Sequence, residues 1–409
     1  MALAFFTLFD NYHSPKALTT MKIGIDTLFE DPIYGSSATD YLASFVRTLA
    51  RVATEHLVVV FVSFRNRHLF ATVEANNLCF VNCLVSNEYI LPRIIVQQTL
   101  LPLHAARLRL DLLYAPGNVC PLVPSSWRTV LKISTLHHYL TPEALSPARR
   151  IYRQLVFAAA ARRADRIIAN SLSTKNGICR LMNIPEEKVI VVPEAVDESF
   201  QRVERNDALA SRLRTDYGLP MPYILFASAL YPYKGADTLI RAFARVNKWH
   251  NNLHLAIAGP DPLSQRGKLE ALALSLGIAD QVHFLGRISN VEMPLLYSGA
   301  EVFVYPTLSE TFGKPVVEAM RCEVPIIASN VDSIPEIVDT AGILVDPRDI
   351  EEIANAICRV LSDDNLRTVL VARGRVRAKD FSWERHTHQI LKVCEDTVHY
   401  SQVPRRNAE

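Results

Sequence analysis

Residues 301–320 read EVFVYPTLSETFGKPVVEAM. Residues 301–305 form a short, mostly apolar run that stops at Pro306, which is the length and composition of a buried strand. Lys314-Pro315 then opens an amphipathic stretch, with proline in a first helical turn where its missing N–H costs nothing. Strand, polar loop and helix make one βα unit. The same alternation recurs along the chain. Strand-like runs fall at 22–26, 57–63, 79–84, 111–115, 129–134, 166–169 and 188–192, and then at 223–228, 253–258, 281–285, 301–305, 324–328 and 342–345. Amphipathic helical patterns such as 236–248 and 349–361 lie between them. Repeated βα units predict parallel sheets covered by helices on both faces.

The chain has 409 residues, too many for one ordinary core. Residues 193–220 are polar, hold no strand run and end in Gly218-Leu219-Pro220. Strand logic restarts at Tyr223. The expected organisation is an extension over 1–20, a doubly wound α/β domain over 21–195, a second over 196–380, and a last helix within 381–409. The apolar opening MALAFFTLF lacks a basic n-region, so it does not read as a signal peptide. Met21 is an alternative start. No apolar run reaches the roughly 18–20 residues needed to span a bilayer.

Composition narrows the function. The formal charge of +2 and the lack of a basic block argue against a nucleic-acid partner. Seven scattered cysteines without a Cys-x-x-Cys pair argue against a disulfide framework or a zinc site, and fit a reducing cytoplasm. The loop 26–37 carries one glycine, Gly35, and so matches the Gly-x-Gly-x-x-Gly dinucleotide fingerprint poorly.

In open α/β sheets, ligands bind outside the carboxyl ends of the strands. Four stretches there carry chemistry. Glu310 and Glu318, eight positions apart, bracket the start of the 314 helix. The amides of Thr311, Phe312, Gly313 and Lys314 are helix-start donors suited to a phosphate. Two acceptors for hydroxyls around a donor nest suit a sugar nucleotide. The plainer reading is a helix start whose acidic residues complement the dipole. In Ser228-Ala229-Leu230-Tyr231-Pro232-Tyr233-Lys234-Gly235, Lys234 could grip a diphosphate, or be a surface lysine. His137, after strand 129–134, could bond a hydroxyl, or be a partly buried structural histidine. Leu91–Leu110 mixes Arg93, Arg107 and Arg109 with many apolar residues. It reads either as a domain helix with a buried apolar face or as a segment lying on a bilayer.

Residues 223–347 resemble the donor-binding domain of retaining glycosyltransferases of family 4, which have the GT-B fold of two Rossmann-like domains facing across a cleft. FASALYPYKGADTLIRAF, LAIAGP, VHFLGRIS, the quoted stretch, VPIIASNVDSIPEIV and GILVDP carry the likeness. MKIGID and RRADRIIANSLSTKNGICRLMNIPEEKVIVVPEAVD extend it more weakly into the first half, so that it covers about 21–395. The resemblance implies transfer of a hexose, of mannose or glucose type, from a nucleoside-diphosphate sugar to a saccharide or lipid-linked acceptor, as in polysaccharide assembly. It implies no metal or organic cofactor, the nucleotide sugar being a co-substrate.

By position, Glu310, Lys234 and His137 would be catalytic. Glu318 would bind the donor ribose. Thr311, Phe312, Gly313, Lys314, Ser228 and Gly35 would line the donor site, and Arg287 and Ile288 would lie beside the base. The last helix would cross back onto the first domain. Peripheral contact with the inner membrane face would bring the enzyme to a lipid-linked acceptor. Family members commonly carry an arginine where this chain has Ala229, and a glycine where it has Glu323. These departures keep open a reading as a nucleotide-sugar-binding or partner protein without turnover. A nucleotide-sugar epimerase on the same fold is a separate alternative.

Overall fold

The computed structural model describes residues 9–10, 21–29, 37–83, 85–86, 90–141 and 146–399. The chain divides into two compact units, one of Met1–Pro193 with Trp383–Glu409 and one of Glu194–Ser382.

The first unit holds strands β1 (Phe9–Asp10), β2 (Lys22–Asp26), β3 (Leu57–Val62), β4 (Leu78–Asn82), β5 (Leu112–Ala115), β6 (Arg128–Ile133), β7 (Arg166–Ala169) and β8 (Val189–Val191). Their order in the sheet is β1-β4-β3-β2-β5-β6-β7-β8. Among the described residues of this unit only β1, a two-residue strand inside the expected extension, pairs antiparallel, against β4. Every residue of LVVVFV in β3 is buried, as expected for a parallel strand with helices on both faces. Helices α1 (Ser37–Val52), α2 (Ile90–Gln98), α3 (Leu100–Leu108), α4 (His137–Leu140), α5 (Pro147–Arg163) and α6 (Leu172–Met182) connect the strands.

The final helix, Trp383–His399, belongs to this unit. His386 anchors it. One ring nitrogen lies 2.6 Å from the Pro193 carbonyl and the other 3.0 Å from the Tyr41 hydroxyl, which in turn lies 2.9 Å from that of Tyr114. The Lys132 ammonium, itself buried, stacks 3.6 Å from the centre of the Tyr41 ring.

The second unit holds β9 (Tyr223–Ala227), β10 (His254–Ala258), β11 (Val282–Gly286), β12 (Val302–Tyr305), β13 (Ile326–Ser329) and β14 (Ile343–Val345). All its pairings are parallel, in the order β11-β10-β9-β12-β13-β14. Helices α7 (Asp207–Tyr217), α8 (Ala236–Val246), α9 (Arg266–Ser275), α10 (Met293–Gly299) and α11 (Lys314–Arg321) pack around it. Counted within the unit, the order is 3-2-1-4-5-6, the doubly wound pattern. The direction of winding reverses between β9 and β12, and a crevice opens at the carboxyl ends of such a pair.

The expected single helix over 91–110 is two helices broken at Thr99, whose hydroxyl turns back to the Ile95 carbonyl. Its apolar side is not simply buried: Leu91 and Ile95 are exposed while Gln97 is inside. Among the described residues, no helix is long and apolar enough to cross a membrane.

His138, next to the candidate His137, is fully buried against Tyr139 and Phe157. Burial, then Arg153 and His137, push its pKa down to about 4. The unfolded chain therefore takes up a proton near pH 6.5 that the folded chain refuses until about pH 4. Stability from this group is intact above pH 6.5 and declines as the pH falls toward 4. The loss is about 2 kcal/mol between pH 7 and pH 5. Urea denaturation at those two pH values should show it, and His138→Phe should flatten the difference. An unchanged pH dependence in the variant would show that His138 does not carry it.

Candidate active site

The reversal of winding in the second unit lies between β9 and β12. The loop after β9 carries Lys234, and the loop after β12 carries Glu310. The structure brings these two side chains together. Lys234 Nζ lies 2.7 Å from Glu310 Oε2, with side-chain exposures of 10% and 11%. Lys234 is thus not the surface lysine of the plainer reading. A glycine makes this approach feasible: Gly235 has φ +76°, and a Cβ there would meet the Pro306 carbonyl oxygen at 2.0 Å.

A third group completes the cluster. The Tyr305 hydroxyl, at the end of β12, donates to Glu310 Oε2 at 2.6 Å and receives a hydrogen bond from Lys234 Nζ at 3.0 Å. The other carboxylate oxygen accepts from the Thr311 amide at 2.9 Å and from that of Phe312 at 3.5 Å. Two of the amides expected to await a phosphate are thus engaged by Glu310. Burial alone would raise the Glu310 pKa; Lys234, then Tyr305 and the Thr311 amide, outweigh it and hold the carboxyl at about 2. Burial, then the adjacent carboxylate, drive the Tyr305 phenol well above its ordinary range, so it remains a donor.

The loop after β13 fixes the backbone of the cluster. Asp332 Oδ2 accepts from the Glu310 amide at 3.0 Å and from the Ser309 hydroxyl at 2.9 Å, and the Ser333 hydroxyl donates to the Glu310 carbonyl at 3.1 Å. Gly313 stands at the start of α11 with φ +97°, a conformation that favours glycine. One turn into α11, Glu318 accepts from the buried Tyr297 hydroxyl at 2.8 Å. Lys314 pairs with Glu194 at 3.3 Å. Ser228 follows β9, its amide bonded to the Ala258 carbonyl at 2.9 Å. Exposed Arg287 and half-buried Ile288 follow β11 on the same edge of the sheet.

His137 belongs to the first unit, where its Nδ1 lies 3.4 Å from the Thr141 hydroxyl. Gly35 lies outside the described residues. Sequence reasoning missed Tyr305, Tyr297 and Asp332. The two tyrosines read as core aromatics, which they also are, and nothing in a one-dimensional pattern marks where a buried phenol points. A cavity of about 310 Å³ beside edge strand β11, lined by Tyr217, Arg266, Glu270 and His283 among others, shares no residue with this cluster.

Lys234→Met should cost about 3–5 kcal/mol, because it leaves the Glu310 charge buried without its partner. Lys234→Met combined with Glu310→Gln should recover most of that loss. Urea denaturation of both variants tests the pairing, and equal losses would contradict it.

The sequence matches two family models: Glycosyltransferase Family 4 over residues 38–200 and Glycosyl transferases group 1 over 214–377. O-antigen chain mannosyltransferase B of Escherichia coli is 32% identical over 240 residues, covering 56% of this chain and 60% of that protein. A D-inositol 3-phosphate glycosyltransferase of Acidothermus cellulolyticus is 31% identical over 264 residues, covering 62% and 57%. The chain thus spans less than two thirds of these curated relatives. Sucrose-phosphate synthase of Thermosynechococcus elongatus superposes with a TM-score of 0.73 at 21% identity, covering 93% of this chain and 100% of that one. Anabaena HepE in complex with UDP-glucose does so at 0.71 and 20%, covering 92% and 100%. The fold is GT-B, two doubly wound Rossmann-like domains, and the chain belongs to the family 4 glycosyltransferases.

Proposed function

We propose that the chain transfers a hexose, of mannose or glucose type, from a nucleoside-diphosphate sugar to a saccharide or lipid-linked acceptor, with retention of anomeric configuration. The observation that carries this reading is the buried Lys234–Glu310–Tyr305 cluster at the point where the second sheet reverses its winding. Relatives named as mannosyltransferases and a neighbour solved with UDP-glucose support the substrate class.

Breaking the anomeric carbon–oxygen bond builds positive charge on the sugar and negative charge on the departing diphosphate. Lys234 and the start of α11 would stabilise that leaving group. The acceptor oxygen attacks from the face the diphosphate leaves, and its proton passes to the leaving phosphate, so no enzymic nucleophile is required. Glu310 would hold sugar hydroxyls and Glu318 the ribose. Thr311, Phe312, Gly313, Lys314 and Ser228 would line the donor site. Arg287 and Ile288 would flank the base, and His137 would meet the sugar from the acceptor side. The nucleotide sugar is a substrate here and the reaction draws on no resident cofactor. A cytoplasmic protein in peripheral contact with the inner membrane face would suit such an acceptor.

A thermal-shift panel of UDP, GDP, ADP, CDP and their sugar conjugates tests the donor site. A ligand at a hundred times its Kd stabilises by about 2.7 kcal/mol, on the order of 5–10 °C for a domain of this size. One nucleotide should respond, and Glu310→Gln should then abolish transfer from its sugar conjugate while keeping the nucleotide response. Glutamine is preferable to alanine because it continues to occupy the pocket beside Lys234. Binding with no transfer to any acceptor would favour a non-catalytic binder, and sugar conversion without an acceptor would favour an epimerase.

A further inference from the structure

Helix α2 keeps only part of its apolar surface inside, with Val96 packed against the core. It buries Gln97, whose side-chain amide donates to the buried Asp26 carboxylate, and turns Leu91 and Ile95 outward at 68% and 52% exposure. Helix α5 also leaves an aliphatic pair outside. Its buried stripe is Phe157, Ala158, Ala160 and Ala161, while Ile151 and Leu155 stand outward at 54% and 67%. Each exposed pair has i,i+4 spacing, so each makes one apolar ridge.

The ridges lie on one side of the first unit. Leu101 and Ala105 of α3 pack in the cluster that contains Leu113, and Phe157 and Ala160 of α5 pack in the cluster that contains Ala115. Leu113 and Ala115 are two apart on β5 and so face the same way. Gln98, at the end of α2, donates to the Cys120 carbonyl, and the Cys120 thiol lies against the Ala160 carbonyl of α5.

Charge on this layer is one-sided. Across α2, α3 and α5 there are seven arginines and no aspartate or glutamate. Arg107, Arg149, Arg150 and Arg162 are exposed. The whole chain, by contrast, is nearly balanced at +2. Exposed aliphatic ridges edged by arginines, whose stems can lie along apolar surface while the guanidinium stays in water, fit the interface of an anionic bilayer. A second copy fits poorly: a two-fold contact would set these three helices, which carry arginines and no aspartate or glutamate, against themselves.

We propose that the α2–α3–α5 face of the first unit docks on an anionic lipid bilayer, with Leu91, Ile95, Ile151 and Leu155 entering the interface and the arginines meeting lipid phosphates. The reading does not depend on the transfer reaction, since its test measures binding alone. The full chain is floated with vesicles of phosphatidylcholine, and with vesicles of phosphatidylcholine and phosphatidylglycerol, at low and high salt. It should float with the anionic vesicles only, and less at high salt. Ile151→Glu with Leu155→Glu should abolish flotation. Arg149→Gln with Arg150→Gln should weaken it by about fivefold per arginine. Both pairs are solvent-exposed, and unchanged thermal unfolding checks that the fold is intact. No flotation, equal flotation with both vesicle types, or variants that float like the parent would each overturn the proposal. So would concentration-dependent dimers that the Ile151→Glu/Leu155→Glu variant loses, which would make the face a self-association surface.

Discussion

A single carboxylate organises the carboxyl edge of the second unit. Glu310 comes from the loop after β12, its counter-charge Lys234 from the loop after β9, and the Asp332 that fixes its backbone from the loop after β13. Those three strands are neighbours in the sheet. Holding an ionised carboxylate at 11% exposure demands compensation, and Lys234, the Tyr305 phenol and the Thr311 amide provide it. The compensating groups come from the loop after β9, the last residue of β12 and the loop that carries Glu310 itself, so the packing of these segments answers one charge balance. The contact of Gly235 against the Pro306 carbonyl is the steric side of the same requirement.

This balance bears on how an anion would be received. Lys234 is already neutralised, so a diphosphate reaching it competes with Glu310 for the same ammonium. The exchange swaps one ion pair for another in a weakly screened environment, where such pairs count for far more than in water. It also releases the Glu310 oxygens for other donors, and sugar hydroxyls are such donors in the proposed reaction. Arg287 follows β11, two strands from β9, which at sheet spacing is about 10 Å at the backbone.

The strands were legible because parallel strands covered on both faces must be almost wholly apolar. LVVVFV and the run ending at Tyr305-Pro306 have no other economical reading, and the structure places strands at 57–62 and 302–305. The helix start at Lys314 was legible from Pro315. Lys234 and Glu310 could each be singled out as lying at the carboxyl end of a strand, but not as partners, because they are 76 residues apart and meet through sheet order. Tyr305 could not be singled out at all, since strand periodicity assigns a ring to the core and is silent about its hydroxyl. Over 91–110 the pattern misled for a physical reason. A helix is expected to bury its aliphatic residues, whereas α2 buries Gln97 against Asp26 and leaves Leu91 and Ile95 outside.

Glu323 and Ala229, two of the departures from the family pattern, sit differently in the structure. Glu323 occupies a place where the family resemblance implies glycine, and its φ of +59° explains why glycine suits it. The strain of a side chain there is offset locally: the carboxylate lies 3.0 Å from Arg202 and 2.6 Å from Arg375. Burial favours its neutral form, but the two arginines outweigh that and keep it below its ordinary pKa. The residue therefore ties the end of α11 to the segment before α7 and to the helix Asp364–Arg377. Ala229 removes a charge instead of adding one. In its loop, Tyr231 and Tyr233 stack with ring centres 5.3 Å apart, and the Lys234 ammonium lies 5.2 Å from the Tyr233 ring. An aromatic face attracts a cation without neutralising it. The loop thus carries one positive charge where the family resemblance implies two, and it holds that charge in a buried place at the reversal of the sheet.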